Sequence, residues 1–416
     1  TELSLQSQFT MTLALIKNVL SIKADATARL GNRETEQWDS DMNIPYKQGP
    51  NLADEYLGWV DMAQLAKERD YYTSVNAYID FTKSFGKHQV SALAGFNQEY
   101  NSHRYMRGER EELISSSLPS VELATGSARV REDNYEWATR GGFFRLNYIY
   151  NNKYIFEANG RYDGSSRFAK GNRWGFFPSA SLGWNIYREK FMEPAADFLS
   201  NLKLRVSYGL LGNQADAGLY TFASNMSLNG GLGGYIFSDG RHIYTNPAPV
   251  IDPNTTWEKV ESKNIGLDFG FFGNALTGTV DIFQRDTKDM LGPGLEFPDM
   301  FGAVAPQANN ARMRNRGWEL SLNYRGKIGN DIDYSVGGSV SDAVSEVTEY
   351  ANAKKNDPYG SWYTGRKVGE IWGYRAEGLI QTQEEADAYN AEYDLSYISG
   401  KLWEPVSYTH LRAHET

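Results

Sequence analysis

A chain of 416 residues with 42 basic and 52 acidic side chains carries a net charge of −10, which argues against nucleic acid or an anionic membrane surface as its main partner. Apolar residues make up 41% of it, mean hydropathy is −0.55, and nowhere do about eighteen apolar residues run together. Transmembrane helices are therefore excluded, a disulfide scaffold or thiolate metal site is excluded by the absence of cysteine, and a β-barrel with a polar interior is not excluded.

Alternation of apolar and polar residues begins at once. Phe9, Met11, Leu13 and Leu15 alternate with Gln8, Thr10, Thr12 and Ala14, so the first strand presents one apolar face. A tight turn at Ile16-Lys17-Asn18 leads to Leu20, Ile22, Ala24, Ala26 and Ala28. A long polar connection over 31–70 follows. Val75, Ala77, Ile79 and Phe81 turn at Gly86-Lys87 into Val90, Ala92, Ala94 and Phe96, and a second long connection runs over 104–136.

The pattern is clearest in the next hairpin. Phe144, Leu146, Tyr148 and Tyr150 share a face opposite Arg145 and Asn147. After Asn151-Asn152, which suits a two-residue turn because Asn tolerates positive φ, Tyr154, Phe156, Ala158, Gly160 and Tyr162 oppose Glu157, Asn159, Arg161 and Asp163. Each arm has about ten residues, the length of a membrane-spanning strand.

Later segments repeat the rhythm. Leu202 to Leu210 precedes a glycine-rich loop over 229–234. Ile265, Leu267 and Phe269 turn at Gly273-Asn274 into Leu276, Val280 and Ile282, and Trp318, Leu320, Leu322 and Tyr324 turn over 326–330 into Ile332, Tyr334, Val336 and Val340. The count is about 13–14 strands. Short and long connections alternate, as in an up-and-down outer-membrane barrel with short turns on the periplasmic side and long loops outside. The exception is 189–201, a shorter stretch expected to hold a helical turn. Near the C-terminus Gln383 to Tyr389 reads as a short helix, with Thr382 as N-cap and Glu385 three residues on.

Several blocks carry a resemblance. Arg161-Tyr162-Asp163-Gly164-Ser165-Ser166-Arg167-Phe168, Trp174-Gly175-Phe176-Phe177-Pro178-Ser179, Leu202 to Gly209 with Gly212-Asn213, Trp257-Glu258-Lys259, Asn315-Arg316-Gly317-Trp318-Glu319-Leu320 and Gly373-Tyr374 with Gly378-Leu379-Ile380 stand in one order over more than half of the chain. Together they resemble SusC/RagA-type TonB-dependent outer-membrane transporters. The resemblance implies an all-β fold: an antiparallel transmembrane β-barrel of about 22 strands, closed by a plug domain. It also implies import of an oligosaccharide or peptide substrate, energised through TonB beneath a SusD-like surface lipoprotein, in the cell outer membrane and in contact with its lipid. On this reading residues 1–404 are an incomplete barrel domain, a fragment without plug domain or TonB contact segment. Residues 405–416, with His410 and His414, fit neither strand alternation nor the family and are expected to be a non-native tail.

No nucleophile, base and oxyanion arrangement is visible, so no catalytic residue, metal ligand or cofactor is assigned. His88, His103 and His242 are expected as solvated residues of turns or loops. The 230–234 glycines lack the strand, helix and following Lys-Ser/Thr of a phosphate loop. Asp163 to Ser166 is expected to form a loop tip rather than a cation site. The polar faces say more. Arg145, Glu157, Arg161, Asp163, Lys203, Arg205, Asp268, Asp281, Arg285, Glu319 and Arg325 all lie opposite the apolar face of their strands. In a barrel they line the lumen and either dock a plug or line a substrate path. Loop aromatics Tyr235, Phe237, Tyr244 and Trp362 could stack on cargo, although girdle or packing roles come first. Two other readings use the same strands: a passive porin, and a soluble carbohydrate-binding β protein.

Overall fold

The computed structural model describes residues 1–39, 43–46, 55–58, 61–224, 226, 228–229, 236–237, 240–241, 244–246, 248–294, 297–303, 305–329, 331–351, 361–379, 382–392 and 411–415. Twelve strands form one antiparallel sheet in which each pairs with its neighbours in sequence. They are β1 (Glu2–Ile16), β2 (Leu20–Asp39), β3 (Met62–Phe85), β4 (His88–Glu111), β5 (Ala128–Tyr150) and β6 (Tyr154–Ser165), followed by β7 (Trp174–Asn185), β8 (Leu199–Asn213), β9 (Glu258–Phe271), β10 (Leu276–Gly292), β11 (Ala308–Ile328) and β12 (Ile332–Glu349). β1 and β12 are the ends of this sheet, and Gly365 to Val368 adds a short bonded segment along the outer side of β12. Among the described residues, no helix is long and apolar enough to cross a membrane.

The expected 13–14 strands thus become twelve in the main sheet, with four short two-stranded ribbons outside it. One ribbon pairs Tyr374–Leu379 with Leu411–Glu415. A ladder is made of backbone donors and acceptors, which any residue but proline supplies, so a strand can form without side-chain alternation.

The strands also run further than apolar alternation indicates. β2 and β3 pair out to Asp39 and Met62, and β4 and β5 out to Arg110 and Ala128, so much of the expected long connections is ladder. The cause lies in cross-strand charge pairs that replace apolar contacts once both faces turn polar, among them Glu34–Lys67 (3.2 Å), Arg104–Glu136 (2.7 Å) and Arg129–Glu111 (3.2 Å).

The connections alternate as expected. Tight turns at 17–19, 86–87, 151–153, 272–275 and 329–331 share one edge of the sheet, and the longer segments share the other. Asn151 and Asn152 both take positive φ, 53° and 55°, and the Lys153 N–H donates to Tyr150 O at 2.9 Å, which closes a turn of the primed kind that matches strand twist. The exceptional connection between β7 and β8 holds two 3-10 turns, Ile186–Arg188 and Lys190–Ala195. The expected short helix is present as α1 (Gln383–Glu392), and Thr382 caps it by accepting the Glu385 N–H at 3.2 Å.

Register joins the strand faces into two continuous surfaces. On one, Leu13, Ile22, Ile79, Ala94, Phe144 and Gly160 form a row of directly paired residues across six strands. A second row passes from Tyr148 through Phe156, Leu182, Val206, Ile265 and Ile282 to Trp318. This apolar surface is uncovered: Phe9 is 67% exposed, Leu182 58%, Ile282 62% and Val336 66%. A patch of that extent does not persist in water and fits acyl chains. Exposed aromatics bound it on both sides, with Tyr71, Tyr162, Trp174, Tyr208 and Trp318 toward the long connections and Phe85, Tyr150, Tyr154, Tyr324 and Tyr334 toward the short turns. Tyr162 and Trp174 stack at 5.0 Å. Such paired belts are the aromatic girdles that flank a membrane-spanning band.

Candidate functional site: the polar face and its loop core

The structure places all eleven sequence-predicted site residues on the other, polar face. Their register partners there include Ser181 beside Glu157, Asn185 beside Lys203, Thr279 beside Asp268 and Ser341 beside Glu319. All but Arg285 and Arg325 fall into three groups. Arg205 of β8 donates from Nε and Nη2 to the two oxygens of Asp268 on β9, each at 2.9 Å, and from Nη2 to Asp281 on β10 at 3.1 Å, so one guanidinium ties three strands. It reaches Asp281 by crossing Gly266, where a Cβ would stand 2.7 Å from Arg205 Nη2 and would also meet the Asp281 carboxylate. Lys203 is paired in register with Asp268, and Glu319 with Asp281.

The second group joins Arg145 and Glu157 through amides. Arg145 Nε donates to Asn159 Oδ1 (2.7 Å), and Glu157 accepts from Asn159 (2.9 Å) and Asn147 (3.2 Å). In the third, Arg161 and Asp163 make a two-pronged pair along β6 at 2.9 Å and 2.9 Å, with the guanidinium also 5.3 Å from the Phe143 ring centre. Arg285 lies apart, over the Phe283 ring, and Arg325 lies by the short-turn edge, where its N–H donates to Ala275 O at 2.7 Å. Mixed charges held in this way leave a wall of fixed dipoles and half-exposed ions, suited to binding another polar surface across water.

Toward the long connections a small core closes over the β6–β9 end of the sheet. Phe168, Phe177, Ala217 and Trp257 are buried together, and Trp257 meets Phe168 at 5.3 Å and Phe177 at 5.4 Å. The Trp257 indole N–H donates to Arg173 O (2.8 Å), Asn172 donates to Pro253 O (3.0 Å), and Arg167 donates to Ala217 O (2.7 Å). The β6–β7 and β8–β9 connections are thereby pinned to each other. Phe177 stands in register with Arg161, which sets it on the polar face.

The profile described as "TonB dependent receptor-like, beta-barrel" matches residues 6–371, most of the chain. The chain belongs to that family. Its members are outer-membrane proteins, and the apolar band of the sheet is the surface such a location requires. TonB-dependent receptor SusC of Bacteroides thetaiotaomicron is 32% identical over 339 residues, 80% of this chain and 32% of that protein. TonB-dependent receptor P26 of Formosa agariphila is 28% identical over 359 residues, 82% of this chain and 35% of that protein. The chain thus spans about a third of the length of the curated relatives it matches. Among solved structures, the RagAB peptide transporter shares the fold with a TM-score of 0.74 and 24% identity, over 91% of this chain and 41% of that one.

The TonB-dependent receptor motifs converge in space. Phe168, Phe177 and Trp257, each from a different block, meet in the loop core, while Trp174 of the middle block lies in the girdle, a division that their spacing in sequence does not reveal. Other expectations need correction. Asp163 to Ser165 lie within β6, and the Asp163 carboxylate is taken by Arg161, so the loop begins only at Ser166. His88 opens β4, with Nδ1 2.8 Å from Tyr148 Oη and its ring against Phe85 and Tyr150. His103 sits deep within β4 with its side chain only 12% exposed, because that strand runs about a dozen residues beyond its apolar stretch. Neither is a solvated loop histidine. Of the loop aromatics, Trp362 carries the Arg366 guanidinium 4.8 Å from its ring centre, and Phe237 and Tyr244 are described only in backbone. Tyr235, His242 and the 230–234 glycines lie outside the described residues.

Proposed function

We propose that this chain forms part of the wall of an active importer that moves oligosaccharides or peptides across the outer membrane, energised through TonB and covered by a SusD-like surface lipoprotein. The observation that carries the proposal is the division of one twelve-stranded sheet into an uncovered apolar face and an ion-paired polar face. With the apolar face in lipid, the polar face lines the lumen. Arg145, Glu157, Arg161, Asp163, Lys203, Arg205, Asp268, Asp281, Arg285, Glu319 and Arg325 then offer a plug domain a charged, wet docking wall. A barrel of the width typical of this family leaks unless it is plugged, and an outer membrane holds no energy source of its own, which is why the reading includes a plug and a TonB partner. The SusC and RagAB likenesses support a nutrient cargo and a lid partner.

Liposome swelling with the full-length gene product tests this. A plugged importer gives no free permeation of small sugars, and uptake in cells requires TonB. Free permeation without TonB would assign the sheet to a passive porin instead.

A further inference from the structure

On the polar face, beyond the aromatic girdle and toward the long connections, one register row reads Gly31, Asp70, His103 and Tyr135 across β2 to β5. His103 Nδ1 lies 2.8 Å from Asp70 Oδ1 and 4.0 Å from Glu68 Oε1. The three donor atoms fall within 4.8 Å of one another. The ring is fixed in place, because Tyr135 stacks on it at 4.5 Å with 15° between planes. Opposite Asp70 stands Gly31, which adds no side chain to the space in front of the carboxylate.

We propose that Glu68, Asp70 and His103 bind a divalent first-row transition cation at the outer mouth of the lumen. A simple imidazole–carboxylate pair would account for Asp70 alone, whereas here a second carboxylate is directed at the same nitrogen. Two like-charged carboxylates lie side by side, and among the described residues the one arginine or lysine paired with them, Arg33, contacts the far oxygen of Glu68 at 3.6 Å while held by Glu2 at 3.1 Å. That leaves Oε1 of Glu68 turned toward His103. One imidazole nitrogen with two carboxylate oxygens is a donor set that suits zinc or its first-row neighbours rather than calcium or magnesium. Metal–ligand bonds of about 2.1 Å set donor atoms about 3.4 Å apart in a tetrahedron. Asp70 and His103 are already near that spacing, and Glu68 Oε1, 4.0 Å from Nδ1, reaches it by turning a flexible side chain. Water completes the shell from the lumen side. On binding, the imidazole takes the tautomer with its proton on Nε2, so that the Nδ1 lone pair faces the cation, which stands between Nδ1 and the Asp70 carboxylate. Two side chains on β3 and one on β4 would thereby be tied where the ladder leaves the membrane.

The test uses the full-length gene product in detergent, stripped with EDTA and titrated with ZnCl2 by calorimetry and with CoCl2 by visible absorption. The expected result is one equivalent bound, with imidazole scattering at the zinc absorption edge. His103→Ala, Asp70→Asn and Glu68→Gln should each weaken binding by at least about tenfold. Heat-modifiable gel mobility shows whether each variant still folds, and Asp70→Asn, nearly isosteric, decides the matter if His103→Ala does not. Binding unchanged in Asp70→Asn, or a zinc edge without imidazole in the parent protein, would overturn the proposal and leave an ion pair only.

Discussion

At the scale of single residues, Arg205 shows how the polar wall is held. Its charge is matched by Asp268 and Asp281, and with exposures of 34%, 22% and 19% the three are partly screened by solvent. Removing the guanidinium strands two neighbouring carboxylates, and the cost of unsatisfied polar groups is about 1–3 kcal/mol. Arg205→Ala should therefore lower stability by about 1–2 kcal/mol, given the screening, in urea unfolding of the vesicle-embedded protein. Gly266→Ala should cost a similar amount although it removes no charge, because its Cβ occupies the path of the guanidinium. A neutral Gly266→Ala would mean that the arginine does not cross there. The charged residues were legible from alternation, since period two fixes their face. Gly266 was not, because its reason is a side chain about sixty residues away.

At the scale of elements, hairpins and turns were legible because their signals are local: Asn151-Asn152 and Gly273-Asn274 adopt the positive φ that their chemistry allows. Strand ends were not, since β2 to β5 continue on charge pairs that leave no apolar trace. The β7–β8 connection illustrates a further, non-local device. Glu189, between its two 3-10 turns, accepts from Lys153 Nζ (2.9 Å), Tyr154 Oη (2.7 Å) and Trp184 Nε1 (3.2 Å), which locks the connection onto the neighbouring turn. The Lys153 bond, then those of Tyr154 and Trp184, hold the Glu189 carboxyl down from its ordinary 4.5 to about 2. Because the folded value is the lower one, the stabilisation is complete above about pH 4.5 and is lost as pH falls toward 2. Carboxyl NMR should place the Glu189 midpoint near 2, and Glu189→Gln should remove that share of the acid sensitivity. A midpoint in the usual carboxylate range would show that the clamp does not form.

At the scale of the whole molecule, the account depends on which face meets lipid. Fold class and family were legible because a period of two persists over twelve strands and motif blocks recur in order. The loop core and the Glu68–Asp70–His103 cluster were hidden, since each assembles from segments that only register brings together. These 416 residues hold no cysteine of their own to compete for a label. Single cysteines at 144, 145, 146 and 147, each carrying a nitroxide in the bilayer-embedded full-length protein, measure the orientation most directly. Collision with oxygen should be high at 144 and 146, and collision with an aqueous nickel chelate should be high at 145 and 147. A profile without that alternation, or with its sense reversed, would contradict the account.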